Sequence, residues 1–294
     1  MKAVVGYAKA LKVPSPVPTL IRQHRPNSKA HLMGVDVALN SLGHRNRELN
    51  NPKPPKERRI HFVGSSILMA WGVEEEKGMV ALVEKRLNKE KSPKTGQTYV
   101  GINAGIGNFN TYYEVELFES QVEQTKPDLV VLQYYVNDSE PNPADRDNPI
   151  FMDSVALALT YLRLKAAMTT GNTTLEEYYG ALYKEGQPDW ERTKAAFRKL
   201  KKICDQRGIP LVVLLVPEVH NFSADSPYRK IYGILDGLFK DLGIPFINPV
   251  DALLEAFGPH PTETSVARDD PHPNGPAHLV MANQLSDYLL TLDF

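Results

Sequence analysis

The chain has 294 residues, and its 34 Lys and Arg against 35 Asp and Glu give a formal net charge of -1. This length suits one large α/β domain with or without an appendage, and the balanced charge makes nucleic acid or an acidic membrane an unexpected partner. The single cysteine, Cys204, excludes an internal disulfide and a cysteine-based zinc cluster. No apolar run approaches the ~18 residues of a membrane span, and residues 1–13 lack a signal-peptide core. As given, the chain is expected to be soluble.

The first part of the chain, residues 1–58, is predicted to be a proline-rich N-terminal arm. Its many prolines and polar residues favour an extended, surface-wrapping segment over an independent core. Within the arm, Met33–Asn40 alternates enough for an edge strand or hairpin, and Asn40–Arg45 is typical of a turn.

Residues 59–294 are predicted to form an α/β domain, because strand-like and helix-like segments alternate along them. A flavodoxin-like, three-layer fold follows, with a parallel sheet sandwiched by helices. Asn148–Pro188 is expected to be a helical insertion, and its apolar part, Phe151–Met168, a lid over the cleft or a helix packed far from it. The predicted strands are Ile60–Val63, Tyr99–Asn103, Leu129–Tyr135, Leu211–Val216 and Pro245–Asn248, and the predicted helices are Met79–Leu87, Thr111–Gln124, Trp190–Gln206, Tyr228–Leu242 and Ala277–Leu292.

Polar and glycine-rich residues follow the first three predicted strands. They are Ser66, the stretch Asn103–Thr111 and the stretch Tyr135–Asp138. Because parallel strands end at one edge of the sheet, these residues should converge there. A glycine-rich turn that opens a helix offers backbone N–H groups to an anion, and with an Asn side chain beside it predicts an oxyanion hole near the serine. Asn-Asp after a strand is equally typical of a helix cap, and the glycine spacing lacks the third glycine of a dinucleotide-binding loop.

The segment Asp269–Asn274, Asp-Asp-Pro-His-Pro-Asn, places two acids just before His272. A carboxylate close to an imidazole sets its tautomer and stabilises its protonated form, as a general base serving a serine nucleophile requires. Either Asp269 or Asp270 has suitable spacing.

Four blocks, in order, resemble the SGNH (GDSL-type) serine hydrolase superfamily over about residues 58–292. Val63–Val73 resembles the serine block, with Ser65 in place of the usual Asp. Asn103–Thr111 resembles the Asn-x-Gly-x-x-Gly block, with Asn108 where the glycine is expected and Gly107 one place early. Tyr135–Asp138 resembles Gly-x-Asn-Asp with Tyr135 replacing glycine, and Asp269–Asn274 resembles the Asp-His block.

The resemblance implies a catalytic triad and an oxyanion hole. Ser66 would be the nucleophile, His272 the base, and Asp270, slightly favoured over Asp269, the acid. The oxyanion donors would be the Ser66 backbone, the Gly107 or Asn108 backbone and the Asn137 side chain. No metal or organic cofactor is implied.

The function that the resemblance implies is ester hydrolysis. The pattern Asn40-Ser41-x-Gly43-x-Arg45 resembles an arm of bacterial cell-envelope members, which suggests small acyl groups, above all O-acetyl groups on a glycan. An acyltransferase with the same triad and a lipid or thioester hydrolase stay open. The compartment and the oligomeric state also stay open, with a cell-envelope or periplasmic location expected if a further segment precedes Met1.

Two hypotheses come from other functional classes. One is a catalytically inactive carbohydrate-binding module that stacks sugars on aromatic side chains near the sheet edge. The other is a scaffold that assembles through the arm. The aromatic candidates for stacking are Trp71, Phe109, Tyr112, Tyr134 and Tyr135.

Overall fold

The N-terminal arm consists of a helix and two β-hairpins in the computed structural model, which describes residues 2–141, 175–268 and 270–294. The second hairpin turns at Met33 and Gly34, whose φ angles of 51° and 79° suit a two-residue hairpin turn. The hairpin predicted around Met33–Asn40 is therefore present. The elements are α1 (Lys2–Leu11), β1 (Lys12–Pro14), β2 (Arg22–His24), β3 (Lys29–Leu32) and β4 (Val35–Ala38).

The arm differs from the extended segment that its prolines predict, because it buries apolar side chains against the main domain. Tyr7, Leu11 and Val37 pack in one cluster with Met69 and Trp71 of the main domain. Tyr7 and Leu11 are four residues apart on α1, so they share one helix face. This face is what orders the arm.

A five-stranded parallel sheet follows the arm, and its strands are covered on both faces. It comprises β5 (Glu57–Val63), β6 (Thr98–Asn103), β7 (Leu129–Tyr134), β8 (Leu211–Leu215) and β9 (Phe246–Ile247). The strand order is β6-β5-β7-β8-β9, and every pair is parallel. In such a sheet ligands bind beyond the carboxyl ends of the strands where the order reverses, here between β5 and β7.

Helices flank the sheet and complete the three layers. The helix α2 packs against α9, and α4 packs against α6. Two short 3₁₀ turns, Glu75–Lys77 and Val136–Ser139, lie between the regular elements. The helices are α2 (Met79–Glu90), α3 (Ser92–Thr95), α4 (Thr111–Thr125), α5 (Leu175–Leu182), α6 (Pro188–Arg207), α7 (Tyr228–Asp241), α8 (Val250–Phe257) and α9 (Gly275–Thr291).

The predicted α/β fold is confirmed, and the predicted strands and helices agree with the structure to within a few residues. The sequence analysis missed α1 and α8. Of the predicted insertion Asn148–Pro188, residues 175–188 are described and include α5, while the proposed lid Phe151–Met168 lies outside the described residues.

Candidate active site

Ser66, His272 and Asp270 form a hydrogen-bonded relay at the carboxyl edge of the sheet. Ser66 follows β5, and its Oγ lies 2.8 Å from Nε2 of His272. On the other side of the ring, Nδ1 lies 2.6 Å from Oδ1 of Asp270. Because a carboxylate can only accept, Nδ1 carries the proton and Nε2 is left to accept the proton of the serine.

Asp270 is held in its ionised form. Burial works to raise its pKa, but the hydrogen bonds from the His272 ring and backbone N–H outweigh burial and lower the pKa below its ordinary value. An ionised Asp270 can stabilise the imidazolium that forms when His272 takes a proton. The other candidate acid, Asp269, lies outside the described residues.

The turn that carries Ser66 is held by Gln133, a buried residue of β7. Its Oε1 accepts the Leu68 N–H at 3.1 Å and the Ser65 N–H at 3.4 Å. A Cβ on Gly64 would lie 2.7 Å from that oxygen, so glycine is needed where the two strands meet. Residues 65–73 form successive turns after β5, and the next α-helix, α2, begins at Met79 as predicted.

The backbone N–H groups of residues 104–107, in the loop after β6, all have acceptors within the protein. The N–H groups of Ala104 and Ile106 donate to carbonyls of residues 62 and 64, and that of Gly105 to the Asn103 side chain. The Gly107 N–H donates to Tyr7 Oη at 2.8 Å. Within the described residues no acceptor is found for the Asn108 N–H. Between the two predicted alternatives the geometry therefore favours Asn108 over Gly107 as the donor.

Asn108 also accounts for the departure from the glycine pattern. Its φ of 63° lies in the left-handed region, which glycine adopts most readily and asparagine tolerates better than most residues. The loop backbone comes closest to the serine turn at Gly105, where a Cβ would lie 2.3 Å from the backbone nitrogen of Met69. The loop is thereby packed directly on the turn that carries Ser66.

Asn137 sits on the 3₁₀ turn that follows β7. Asp138 fixes this turn, because its Oδ2 accepts the Tyr135 N–H at 2.7 Å and its own N–H donates to the Tyr135 carbonyl at 2.9 Å. In the described part of the chain, neither the Asn137 side-chain amide nor the Ser66 N–H has a protein acceptor. Together with the Asn108 N–H, they are three donor groups, among the described residues, that a small anion could use.

These donors surround one small cavity of about 50 Å³. Its lining includes Ser66, Asn108 and Asn137, and also Ser65, Phe109, Asn110, Glu140 and Pro141. The cavity has room for a group of about one or two water volumes. Ser66, which is hydrogen-bonded to His272, thus shares this cavity with Asn108 and Asn137.

The aromatic side chains proposed for sugar stacking are mostly core residues. Trp71, Phe109, Tyr134 and Tyr135 are each less than 9% exposed, and Tyr112 is partly buried. Trp71 packs between the Tyr7 and His272 rings, at centroid distances of 5.5 and 6.0 Å. These residues do not form an exposed stacking surface, so this basis for a carbohydrate-binding module is wrong.

The pattern Asn40-Ser41-x-Gly43-x-Arg45 anchors the arm to the serine turn. Asn40 Oδ1 accepts the N–H groups of Leu42 and His44 and closes a tight turn. The buried Arg45 guanidinium then donates to the carbonyls of Met69 and Ala70, both at 2.7 Å, and to that of Val73 at 2.9 Å.

Three supporting residues, Gln133, Tyr7 and Lys12, were not identified from the sequence. Gln133 lies in an apolar strand, where a single buried polar side chain is the one signal that could have revealed it. The second histidine of the last segment, His278, is not part of the relay: burial lowers its pKa to about 3, and Nδ1 accepts the Met79 N–H at 3.3 Å.

Structural comparison identifies the fold. Axe2, an acetylxylan esterase from Geobacillus stearothermophilus whose structure is of a catalytic mutant, superposes with a TM-score of 0.51 at 18% identity, covering 80% of this chain and 95% of that one. The chain has the SGNH-hydrolase fold. No protein-family model matches the sequence, and a search of curated proteins finds no match.

Other solved structures are similar to this chain at lower scores. A two-domain esterase active on acetylated mannans has a TM-score of 0.49 at 17% identity over 79% of this chain, which spans about half (49%) of that protein. A protein of the G-D-S-L family from Desulfitobacterium hafniense DCB-2 has a TM-score of 0.46 at 11% identity, over 78% of this chain and 98% of that one. Among the described helices, none combines the length and apolar character needed to cross a membrane.

Proposed function

We propose that the chain is a serine esterase that hydrolyses small-acyl esters, above all O-acetyl groups on a glycan. The observation that carries this proposal is the continuous relay from Asp270 through His272 to Ser66, which ends at a cavity bordered by three donor groups. General-base catalysis and oxyanion stabilisation are the two contributions that ester hydrolysis by a serine requires.

In the proposed reaction Ser66 Oγ attacks the ester carbonyl while Nε2 of His272 takes the hydroxyl proton. The carbonyl oxygen becomes an oxyanion that accepts hydrogen bonds from the Ser66 N–H, the Asn108 N–H and the Asn137 amide. His272 then gives the proton to the departing alcohol, which leaves an acyl-serine. Water, deprotonated by His272, attacks this ester, and collapse of the second oxyanion releases the acid while His272 returns the proton to Ser66 Oγ.

The cavity of about 50 Å³ supports a small acyl group, because a long acyl chain would need a larger or open-ended pocket. The esterase with the highest similarity score described above acts on acetylxylan, which supports testing acetylated glycans first. The glycan itself would lie outside the cavity, on the leaving-group side of the ester.

The test is an activity profile over acetyl, butyryl and octanoyl esters of p-nitrophenol together with acetylated xylan, mannan and peptidoglycan fragments. Acetyl esters should be hydrolysed at least tenfold faster than octanoyl esters, and Ser66→Ala should abolish both hydrolysis and labelling by a fluorophosphonate probe. Fastest turnover of octanoyl esters would contradict the small-acyl proposal, and the absence of probe labelling in the wild-type protein would contradict an activated serine.

A further inference from the structure

Two side chains of the N-terminal arm form hydrogen bonds with both backbone groups of Gly107, in the loop that follows β6. Lys12 Nζ donates to the Gly107 carbonyl at 2.7 Å, and Tyr7 Oη accepts the Gly107 N–H at 2.8 Å. Both side chains are almost fully buried, and they lie 95 and 100 positions before Gly107 in the chain. The arm therefore determines the orientation of the two peptide groups that flank Gly107.

The hydrogen bonds that run from Tyr7 through His24 to the Gly43 carbonyl have a defined donor and acceptor at each step. Nδ1 of His24 lies 2.8 Å from the Gly43 carbonyl, which can only accept, so this nitrogen carries a proton. Burial lowers the pKa of His24 to about 3, so the ring is neutral and Nε2 is an acceptor. Tyr7 accordingly donates its proton to His24 Nε2 at 2.7 Å and keeps a lone pair for the Gly107 N–H.

The hydrogen bond from Lys12 orients the peptide group that carries the proposed oxyanion donor, the Asn108 N–H. The Gly107 carbonyl and the Asn108 N–H belong to the same peptide group, which is planar and trans, so they point in opposite directions. Holding the carbonyl oxygen on the arm side turns the Asn108 N–H to the opposite side. A cation at the carbonyl also polarises the peptide, which makes the N–H a stronger donor.

The Lys12 ammonium is buried in this loop among fixed groups. A buried ammonium loses hydration, and this loss is unfavourable unless fixed groups replace the water. The ammonium also lies 5.4 and 5.7 Å from the ring centroids of Tyr7 and Phe109. Phe109 itself lines the cavity beside Ser66.

We propose that Lys12 and Tyr7 are positioning residues of the oxyanion hole, which fix the Gly107–Asn108 peptide with its N–H toward the reacting carbonyl. This inference rests on the proposed esterase function. Lys12 would act directly on the Gly107–Asn108 peptide, and Tyr7 would act on it indirectly by holding the preceding Ile106–Gly107 peptide. Without Lys12 the peptide can rotate, and its carbonyl oxygen would then face the developing oxyanion and repel it.

The experiment compares Lys12→Met and Tyr7→Phe with Lys9→Met, a matched control because Lys9 is exposed and lies on the same arm. Hydrolysis of p-nitrophenyl acetate gives kcat and KM. Inhibition by a trifluoromethyl ketone measures oxyanion stabilisation directly, because its adduct with the serine is a tetrahedral anion. Lys12→Met should lower kcat roughly 10- to 100-fold with KM within about twofold. The affinity for the trifluoromethyl ketone should fall by a similar factor. Lys9→Met should match the wild type.

The outcomes separate this inference from the proposed function. An active wild-type enzyme with unchanged kcat and ketone affinity in both arm variants would overturn the positioning role alone. A fall in kcat with unchanged ketone affinity would also overturn it. If the wild type neither hydrolyses esters nor reacts with a fluorophosphonate, both proposals fail. Should Lys12→Met not fold, Tyr7→Phe, which keeps the ring against Trp71, decides by the same measurements.

Discussion

Asp270 binds His272 through one carboxylate oxygen, Oδ1, which accepts both the ring Nδ1–H at 2.6 Å and the backbone N–H at 2.9 Å. The backbone contact holds the carboxylate in place independently of the ring. Oδ1 of Asp270 therefore fixes the tautomer of His272, and the backbone N–H of His272 holds that oxygen in place. This arrangement gives Asp270 a defined part in the relay.

Replacing Asp270 by Asn should lower kcat roughly 10³- to 10⁴-fold, because an amide at this place can donate to Nδ1 and favour the wrong tautomer of His272. Steady-state hydrolysis of p-nitrophenyl acetate measures the loss, and Asp269→Asn is the matched control with a much smaller effect. A larger loss in Asp269→Asn would transfer the acid role to Asp269.

Ser66 and its neighbour Ser65 should differ sharply in their effect on activity. Ser66 Oγ lies at hydrogen-bonding distance from His272, while Ser65 is buried, with 5% of its surface exposed. Ser66→Ala should lower hydrolysis by at least roughly 10³-fold and remove fluorophosphonate labelling, whereas Ser65→Ala should keep a measurable fraction of both. Similar losses in the two variants would show that the wrong serine has been assigned.

The oxyanion donors differ in kind, and substitution can separate them. Asn137 would act through its side-chain amide, so Asn137→Ala should lower kcat roughly 10²- to 10³-fold. Asn108 would act through its backbone N–H, and glycine accepts its φ of 63°, so Asn108→Gly should stay within about tenfold of the wild type. A severe loss in Asn108→Gly would mean that the Asn108 side chain takes part directly.

The sheet could be predicted from the sequence because a local pattern of residues indicates each strand. Each strand from Glu57–Val63 to Leu211–Leu215 is a short apolar run followed by a helical pattern, and parallel strands must place their next residues at one edge. That rule alone predicts that Ser66 and Asn137 lie at the same edge of the sheet. The resemblance to SGNH hydrolases added the order of the blocks and the roles of the residues.

The choice between Gly107 and Asn108 depended on contacts that the sequence does not reveal. Whether the Gly107 N–H is available is decided by Tyr7, a hundred positions earlier. The prolines of the arm predict an extended segment, whereas the apolar face of α1 packs on Trp71 and holds the arm against the main domain. Local patterns predict elements, but they do not predict which distant side chain satisfies a given backbone group.

Arg45 should be needed for the stability of the serine turn. Its two terminal nitrogens donate to carbonyls at Met69, Ala70 and Val73, and lysine, with one nitrogen, cannot reproduce this planar fork. Arg45→Lys should lower the free energy of unfolding by about 2–3 kcal/mol, as measured by urea denaturation. Arg47→Lys, at a half-exposed residue paired with Glu84, is the control and should change it by less than about 1 kcal/mol.

Glu114, in the first turn of α4, should make the stability of the protein fall as the pH rises. It is 2% exposed, and within the described residues neither of its carboxyl oxygens has a hydrogen-bond partner. Burial, and next the charge of Asp138, raise the pKa of Glu114 well above its ordinary value of 4.5. The folded protein therefore holds a proton that the unfolded chain releases above about pH 4.5.

In the pH range between the unfolded and folded pKa values, this difference should reduce the free energy of unfolding by up to about 1.4 kcal/mol per pH unit. Glu114→Gln removes the titration and keeps the shape, so it should be more stable relative to the wild type at pH 8 than at pH 5. Urea denaturation at the two pH values measures the difference, with Glu123→Gln, an exposed position on the same helix, as the control. A Glu114→Gln advantage that is the same at both pH values would mean that Glu114 is ionised in the folded protein.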